Sequence, residues 1–235
     1  MTQLFMIIGL AGQKQAGKTT ASAYLKDILD DIIYEYSFAD TLKTFCIDVL
    51  GLTRKQCGYD DGTDEDKNSL TRYKWEDVDA FFREKYGGRN SNSGYHRSIP
   101  VPKTGFMTAR EVMQVQGEMQ RRFFCGTIWL DPVFSKIETN TKMLQKSFDA
   151  RDGVHVITDI RHKNEVERTL AEGGYILYFS RKTNNDNADS ERELLSIPWT
   201  SYSRVYEVAN QGLSIEAKNA IIKETVSFFE GISPR

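Results

Sequence analysis

Short apolar runs alternate with longer amphipathic segments over most of the 235-residue chain. The apolar runs are rich in β-branched and aromatic residues and predict strands at residues 4–10, 32–38, 153–158, 175–180 and 204–208. The amphipathic segments repeat apolar positions every three or four residues and predict helices at 20–29, 40–50, 108–123, 128–147, 162–172 and 214–229. Strands that alternate with helices form a mostly parallel sheet with helices on both faces. The pattern therefore predicts an α/β fold with a sheet of about five strands.

Local capping residues predict where several of these helices begin and end. Asp40 and Ser214 stand at predicted helix starts. Thr108 opens another helix, and Glu111 three residues later completes a capping box with it. Gly173 follows the helix at 162–172 and predicts its end.

Two stretches depart from the alternation and are predicted to lie outside the sheet. Residues 53–106 combine clustered acids with a run rich in glycine, asparagine and serine, which predicts an inserted cap or loop region. Residues 182–201 are polar and predict a mobile surface excursion. We therefore expect a single domain, 1–235, that carries these two additions.

The residues after the first predicted strand match the phosphate-binding pattern GxxxxGK[ST]. Its glycines let successive backbone N–H groups turn toward phosphate oxygens, and the helix that follows adds its positive N-terminal end. Lys18 would then contact the β- and γ-phosphates of a bound nucleotide, and the Thr19 hydroxyl would bind Mg²⁺. A glycine-rich turn with an exposed lysine is the structural alternative. The residues predicted to bind the nucleotide phosphates are Gly12, Gln13, Lys14, Gln15, Ala16, Gly17, Lys18, Thr19 and Thr20.

Charged side chains follow the predicted strand at 153–158. Ligands bind at the carboxyl ends of strands in parallel sheets, so Asp159 is expected to meet Mg²⁺, directly or through water. Its structural alternative is to cap the helix that begins at His162. Arg161 and Glu165 stand four residues apart, so they either form a surface ion pair or bind and orient a substrate phosphate.

One face of the helix at 108–123 is polar. Arg110, Gln114 and Gly117 follow one another at spacings of four and three, which places them on the same side. Arginine suits bidentate contact with phosphate, glutamine offers a donor and an acceptor to a base, and glycine allows close approach. A solvated polar face is the alternative.

Composition narrows the class of protein. The net charge of −2 gives no global basic field, so neither nucleic acid nor an anionic membrane is an implied partner. The three cysteines and three histidines show no metal-ligand spacing, and no GxSxG or NKxD-type motif occurs. The first apolar run is too short for a signal peptide or a membrane span. We expect a cytoplasmic protein whose partners are small molecules.

Six segments taken together resemble the deoxynucleoside monophosphate kinases of tailed bacteriophages, within the wider P-loop nucleoside monophosphate kinases. The segments are GQKQAGKTT (12–20), SFADTLK (37–43), REVMQVQG (110–117), VITDIRHKNE (156–165), YILYFSR (175–181) and VANQGLSIEA (208–217). They span nearly the whole chain in family order. The resemblance implies a three-layer P-loop NTPase fold and transfer of the γ-phosphoryl group of MgATP to a deoxynucleoside 5′-monophosphate. It also implies the cytoplasm of an infected bacterium, and it leaves open whether the protein forms a homodimer.

The resemblance implies roles for individual residues. The catalytic positions fall on Lys18, Arg110, Asp159, Arg161 and Glu165. The acceptor-binding positions fall on Lys43, Arg110, Gln114, Gly117, Glu118, Trp129 and Arg161. Thr19 and Asp159 fall on the metal positions, and Arg181 falls near the phosphates. Residues 53–106 would cover the acceptor, and residues 182–201 would act as a lid. Glu118 stands where the family usually has threonine, and Thr19 stands where many members have aspartate.

Three other functions are compatible with these residues. The nearest is another small-acceptor P-loop kinase, such as a ribonucleoside monophosphate or dephospho-coenzyme A kinase. An ATP-dependent switch or accessory protein would bind nucleotide without transferring phosphate to a small acceptor. A degenerate nucleotide-binding protein is the third, and Glu118 is the feature that favours it.

Overall fold

The computed structural model describes residues 5–29, 32–78, 104–123, 125–146, 153–180, 189–209 and 211–229. The chain divides into two compact units. The first unit comprises Met1–Ala39 and Leu130–Arg235, and the second comprises Asp40–Trp129. None of the described helices is long and apolar enough to cross a lipid bilayer.

The strands form one large sheet and one small sheet. They are β1 (Phe5–Gly12), β2 (Ile32–Tyr36), β3 (Leu70–Lys74), β4 (Phe106–Thr108), β5 (Gly153–Ile160), β6 (Tyr175–Phe179) and β7 (Val205–Val208). The large sheet is entirely parallel, in the order β2-β5-β1-β6-β7, and all its strands belong to the first unit. β3 and β4 pair antiparallel in the second unit. The predicted α/β fold with a five-stranded parallel sheet is confirmed.

The helices lie around the large sheet or in the second unit. They are α1 (Lys18–Ile28), α2 (Phe38–Asp48), α3 (Asp64–Asn68), α4 (Ala109–Phe123), α5 (Asp131–Gln145), α6 (Lys163–Ala171), α7 (Asp189–Ser196) and α8 (Ile215–Ser227). A short 3-10 helix covers Trp199–Ser201.

The main core lies between the sheet and helices α1 and α8. β1 is buried along most of its length because strands pair with it on both sides. Ala21 and Leu25 of α1 belong to the same buried cluster as Ile222 and Val226 of α8. The two helices therefore pack beside each other on the sheet. This packing fixes the direction in which α1 leaves the end of β1.

A fully buried histidine ties α5 to the sheet. His155 on β5 has no exposed surface, and its Nδ1 lies 3.0 Å from the Tyr36 hydroxyl. Its Nε2 lies 2.9 Å from Thr141 Oγ1 on α5. Asn140 Nδ2 donates to the same Tyr36 hydroxyl at 2.8 Å. Burial lowers the pKa of His155 to about 4, so the ring is neutral at physiological pH.

The second unit has its own hydrophobic core. The cluster combines residues of α2, of α4 and of the segments between them, and it comprises Cys46, Leu52, Cys57, Trp75, Met107, Ala109, Val112 and Val115. Burial raises the pKa of the Cys46 thiol to about 12, so this cysteine is an inert core residue.

Most predicted boundaries agree with the structure to within two or three residues. Thr108 and Glu111 form the predicted capping box, since the Thr108 N–H donates to Glu111 Oε2 at 2.9 Å and the Glu111 N–H donates to Thr108 Oγ1 at 3.3 Å. Ser214 caps α8 by accepting from the Ala217 N–H at 3.2 Å.

Three local details differ from the expectations. Helix α2 begins at Phe38 rather than at Asp40, which lies in its first turn. β5 runs two residues further than predicted, to Ile160, so Asp159 is the penultimate residue of the strand. Part of the predicted excursion at 182–201 is helical, because α7 occupies Asp189–Ser196. Residues 181–188 lie outside the described residues.

Candidate functional site

Two glycines shape the loop between β1 and α1. Gly12 has φ 148° and Gly17 has φ 96°, values that L side chains rarely adopt. A Cβ on Gly12 would lie 2.8 Å from the carbonyl oxygen of Phe179 on the neighbouring β6. The backbone therefore requires glycine at the start of the loop for space as well as for conformation. The loop delivers the chain directly into α1, whose first turn carries no acidic residue.

The Lys18 side chain folds back over this loop. Its ammonium donates to the carbonyl oxygens of Gly12 at 2.6 Å and Gln13 at 2.8 Å. The positive charge is thus held above the loop, at the N-terminal end of α1, where the helix dipole is also positive. Thr19 and Thr20 follow on the first turn of α1 and are exposed. A glycine-containing loop, a cation and hydroxyl groups at a helix N-terminus are groups suited to contacts with an anionic ligand such as a phosphate.

Asp159 lies at the carboxyl end of β5, between the ends of β2 and β1. Its carboxylate accepts from Ser37 Oγ at 2.7 Å, the Phe38 N–H at 2.8 Å and the Ala39 N–H at 3.0 Å. Asp159 therefore caps α2. The structural role considered from the sequence was different, namely a cap for the helix that begins at His162. The three donors fix the carboxylate near the loop that follows β1, since the next residue, Ile160, pairs with Ala11 of β1.

Glu165 holds the backbone that follows Asp159. The carboxylate is 5% exposed and accepts from the Arg161 N–H at 2.6 Å and the His162 N–H at 3.0 Å. Burial raises the pKa of Glu165, and the nearby Asp159 charge raises it further, while His162 and the two N–H groups act in the opposite direction. Glu165 thus orients Arg161 through its main chain, a contact that the four-residue spacing alone did not specify.

Sequence reasoning missed a second carboxylate at this helix end. Glu193 on α7 lies with its Oε2 2.8 Å from His162 Nδ1 and accepts from the Lys163 N–H at 3.2 Å. No local pattern identifies this contact, because 30 residues separate Glu193 from Lys163. Helix α7 is thereby tied to the N-terminus of α6, next to Arg161.

The predicted acceptor-binding residues belong to the second unit, apart from Arg161. Arg110 on α4 donates through Nε to Asn68 Oδ1 at 3.0 Å and through Nη2 to Asp64 Oδ1 at 2.9 Å. Gln114, one turn further along α4, is exposed. The guanidinium of Arg110 is therefore oriented by α3, through two residues that the sequence did not single out.

Glu118 is neutralised locally. Its carboxylate forms an ion pair with Arg121 three residues later on α4, and both side chains are largely buried. The anion that stands in place of the family's threonine therefore has a fixed cationic partner. Glu118 was the feature that favoured a degenerate nucleotide-binding protein, and its pairing with Arg121 weakens that argument.

Close packing surrounds Gly117 and Lys43. The Trp129 indole donates to the Gly117 carbonyl at 3.1 Å, and a Cβ on Gly117 would lie 2.9 Å from the Leu42 side chain. Lys43 lies 3.6 Å from the Asp40 carboxylate and above the Tyr59 ring. These two predicted residues thus have structural contacts of their own within the second unit.

The structure leaves two parts of the prediction untested. Arg181 lies outside the described residues, as does much of the predicted cap between residues 79 and 103. Within the described ranges, no group of three or more histidine, cysteine, aspartate or glutamate side chains is arranged to hold a metal ion.

Comparison with known proteins gives one informative similarity. No protein-family model matches the sequence. The chain is 29% identical, over 197 residues, to a protein of Acanthamoeba polyphaga mimivirus named "Putative deoxynucleotide monophosphate kinase". The match covers 82% of this chain and 83% of the relative. The similarity agrees with the kinase resemblance of the sequence, but it does not support a bacteriophage origin.

Proposed function

We propose that the protein transfers the γ-phosphoryl group of MgATP to a deoxynucleoside 5′-monophosphate. The observation that carries this proposal is the loop from Gly12 to Gly17 with Lys18 folded over it. The mimivirus relative, whose name refers to a deoxynucleotide monophosphate kinase, supports the acceptor class. Phosphoryl transfer requires positioning and charge neutralisation more than covalent chemistry, and a loop with a cation folded over it is suited to both.

The donor site would use residues of the first unit. The loop N–H groups and Lys18 would bind the β- and γ-phosphates, and Lys18 would exchange its carbonyl contacts for phosphate oxygens. Arg161, whose main chain Glu165 fixes, would stabilise the charge on the transferred group. Arg181 would contribute a further cation to the phosphates.

The residues present fit a magnesium ion with oxygen ligands. Mg²⁺ prefers hydroxyl, carboxylate and water oxygens, and Thr19 and Asp159 supply the first two. Three donors already hold the Asp159 carboxylate, so it would meet the ion directly or through water while keeping these contacts. When bound, the ion supplies charge neutralisation for the phosphates.

The acceptor site would use the polar face of α4. Arg110 would bind the acceptor phosphate, and Gln114 would contact its base. Lys43, Gly117, Glu118 and Trp129 would line the same site, with Glu118 acting through its pair with Arg121. Residues 53–106 would cover the acceptor, and residues 182–201 would act as a lid.

The test is ADP release from MgATP against a panel of acceptors. The panel comprises dAMP, dGMP, dCMP, dTMP, 5-hydroxymethyl-dCMP, the four ribonucleoside monophosphates and dephospho-coenzyme A. We expect turnover with one or more deoxynucleotides and little with the rest. Turnover only with ribonucleotides or dephospho-coenzyme A would identify a different small-acceptor kinase. Bound ATP without any turnover would favour an ATP-dependent switch.

Lys18→Ala provides the matched variant. It should lower turnover by roughly two to three orders of magnitude, because it removes the cation that stabilises transition-state charge. Lys26→Ala is the control, since Lys26 lies at the far end of α1 and pairs with Glu35. A Lys18 variant that retains a near-normal rate would refute the assignment of the loop as the catalytic phosphate site.

A further inference from the structure

One short helix of the second unit holds the guanidinium of Arg110. The Nε–H of Arg110 donates to Asn68 Oδ1 at 3.0 Å, and its Nη2 donates to Asp64 Oδ1 at 2.9 Å. Both partners belong to α3 and stand four residues apart, so they share one face of that helix. The two contacts determine the direction in which the planar guanidinium faces.

The two contacts occupy one edge of the guanidinium. This group is a rigid plane whose five N–H donors form a fixed fork. The Nε–H and one Nη2–H point the same way and form its side edge, where Asn68 and Asp64 each supply one oxygen. Nη1 and Nη2 form a second edge, which carries a parallel pair of N–H donors. Within the described residues no side chain or carbonyl accepts from Nη1, so the second edge can take a bidentate ligand.

Helix α3 is itself fixed in place. Thr63 and Asp66 form a capping box at its start, since the Thr63 N–H donates to Asp66 Oδ2 at 2.8 Å and the Asp66 N–H donates to Thr63 Oγ1 at 3.1 Å. At its other end the Ser69 carbonyl accepts from the N–H of Ala109, the first residue of α4, at 3.0 Å. Main-chain contacts therefore join α3 to the start of α4, and α3 can hold Arg110 in one orientation.

The charges around Arg110 still permit an anion to bind. The Asp64 side chain is 66% exposed, so water screens its carboxylate. Lys67 Nζ lies 3.8 Å from the same Asp64 oxygen and supplies a second cation. Asn68 is neutral, so it orients Arg110 without adding negative charge. The Arg110 side chain is itself 30% exposed, which leaves surface for a ligand.

We propose that Asn68 and Asp64 are positioning residues for the acceptor phosphate. By filling the side edge of Arg110, they direct its Nη1/Nη2 edge toward the phosphate, whose pairs of oxygens match the parallel N–H donors. An arginine already held in one orientation loses less conformational freedom when the acceptor binds. The inference rests on the proposed function, because it requires that Arg110 bind the acceptor rather than only join α3 to α4.

The test compares the acceptor kinetics of wild type and Asn68→Leu at saturating MgATP, with dAMP, dGMP, dCMP and dTMP. Leucine has a similar size but no oxygen to accept from Nε. The variant should raise the acceptor KM about tenfold, the usual effect of losing an oriented charge-assisted hydrogen bond, and leave the KM for ATP unchanged. Glu65→Leu is the matched control, since Glu65 is exposed on the same helix. The control should match wild type in both KM values.

A double-mutant cycle separates positioning from a structural role. Arg110→Ala removes the group through which Asn68 is proposed to act. Adding Asn68→Leu to Arg110→Ala should therefore change the acceptor KM no further. If the two substitutions instead raise the KM independently, Asn68 does not act through Arg110 and the inference is overturned.

Asp64 supplies a second pair of variants at an exposed position, where replacement should not prevent folding. Asp64→Asn keeps an oxygen that accepts from Nη2, whereas Asp64→Leu removes it. Asp64→Asn should keep the acceptor KM nearer to the wild-type value than Asp64→Leu does. Equal effects of the two would overturn the inference, since the contact with Arg110 would then be immaterial.

A sugar phosphate identifies the part of the acceptor that is recognised. 2-Deoxyribose 5-phosphate carries the phosphate without a base, so it should compete with the acceptor, and Asn68→Leu should weaken its inhibition by the same factor. Unchanged inhibition would overturn the phosphate assignment. An active wild type whose acceptor KM is insensitive to Asn68→Leu and Asp64→Leu would overturn the inference and leave the proposed function standing. A wild type that turns over no acceptor would refute the proposed function, and the inference with it.

Discussion

The buried His155 should make the protein sensitive to mild acid. In the folded protein its pKa is about 4, against a value of 6.5 for an exposed histidine. The unfolded chain therefore binds a proton more readily than the folded one, and stability falls as the pH drops from about 6.5 toward 4. Above that window the ring is neutral in both states and contributes no pH dependence.

The size of the effect follows from this difference in pKa. A shift of about 2.5 units corresponds to about 3 kcal/mol when the whole window is crossed, and to about 2 kcal/mol between pH 8 and pH 5. Protonation would also place an N–H opposite the Tyr36 hydroxyl, which already accepts from Asn140. The hydrogen bonds that join α5 to the sheet would then compete for one oxygen.

The assay is urea denaturation followed by circular dichroism from pH 8 to pH 5, on wild type and His155→Gln. Glutamine can retain a hydrogen bond to Thr141 but does not titrate. The variant isolates the histidine, because other groups such as Glu165, whose burial raises its pKa, titrate equally in both proteins. The difference in unfolding free energy between the two should shrink by about 2 kcal/mol as the pH falls to 5. A difference that stays constant with pH would refute the reasoning.

Three further substitutions test the local geometry. Gly12→Ala should lower the free energy of unfolding by about 1–3 kcal/mol and weaken ATP binding, because the new Cβ meets the Phe179 carbonyl at an unfavourable φ. Thermal melts measure the stability and ATP titration measures the binding. A variant that matches wild type in both would contradict the loop geometry. Glu193→Gln should speed hydrogen exchange at the Lys163 amide with a loss of about 1 kcal/mol, and unchanged exchange would mean that Glu193 does not cap α6 in solution. Thr108→Ala should cost about 1 kcal/mol in urea denaturation, and a neutral effect would argue against the capping box.

Sequence patterns predicted the elements that depend on neighbours in the chain. The strands were found because both faces of the sheet are covered, which gives continuous apolar runs such as β6. The caps of α4 and α8 were found because donor and acceptor lie three residues apart, as in Thr108 and Glu111. The glycine-rich loop was recognised because its backbone conformation restricts the residues that it tolerates.

The features that the sequence did not reveal depend on residues far apart in the chain. Helix α2 begins earlier than predicted because its cap is Asp159, about 120 residues away, rather than the local Asp40. Glu193 was missed for the same reason. The burial of Lys218 on α8, which is 6% exposed, was also missed, because charge alone does not distinguish a buried lysine from an exposed one.

The strand order of the large sheet has a consequence for synthesis on the ribosome. Among the strands that the structure describes, β1 pairs with β5 and β6 and β2 pairs with β5, so none of the five strands of the large sheet has a native neighbour until residues 153–160 emerge. At a translation rate of about 5–20 residues per second, β1 and β2 remain unpaired for on the order of ten seconds while the second unit is synthesised. That unit has its own core and can fold during the delay, but β1, which is buried along most of its length in the folded protein, stays unpaired throughout. Nascent chains should therefore be most prone to aggregate, and most dependent on chaperones, just before β5 appears.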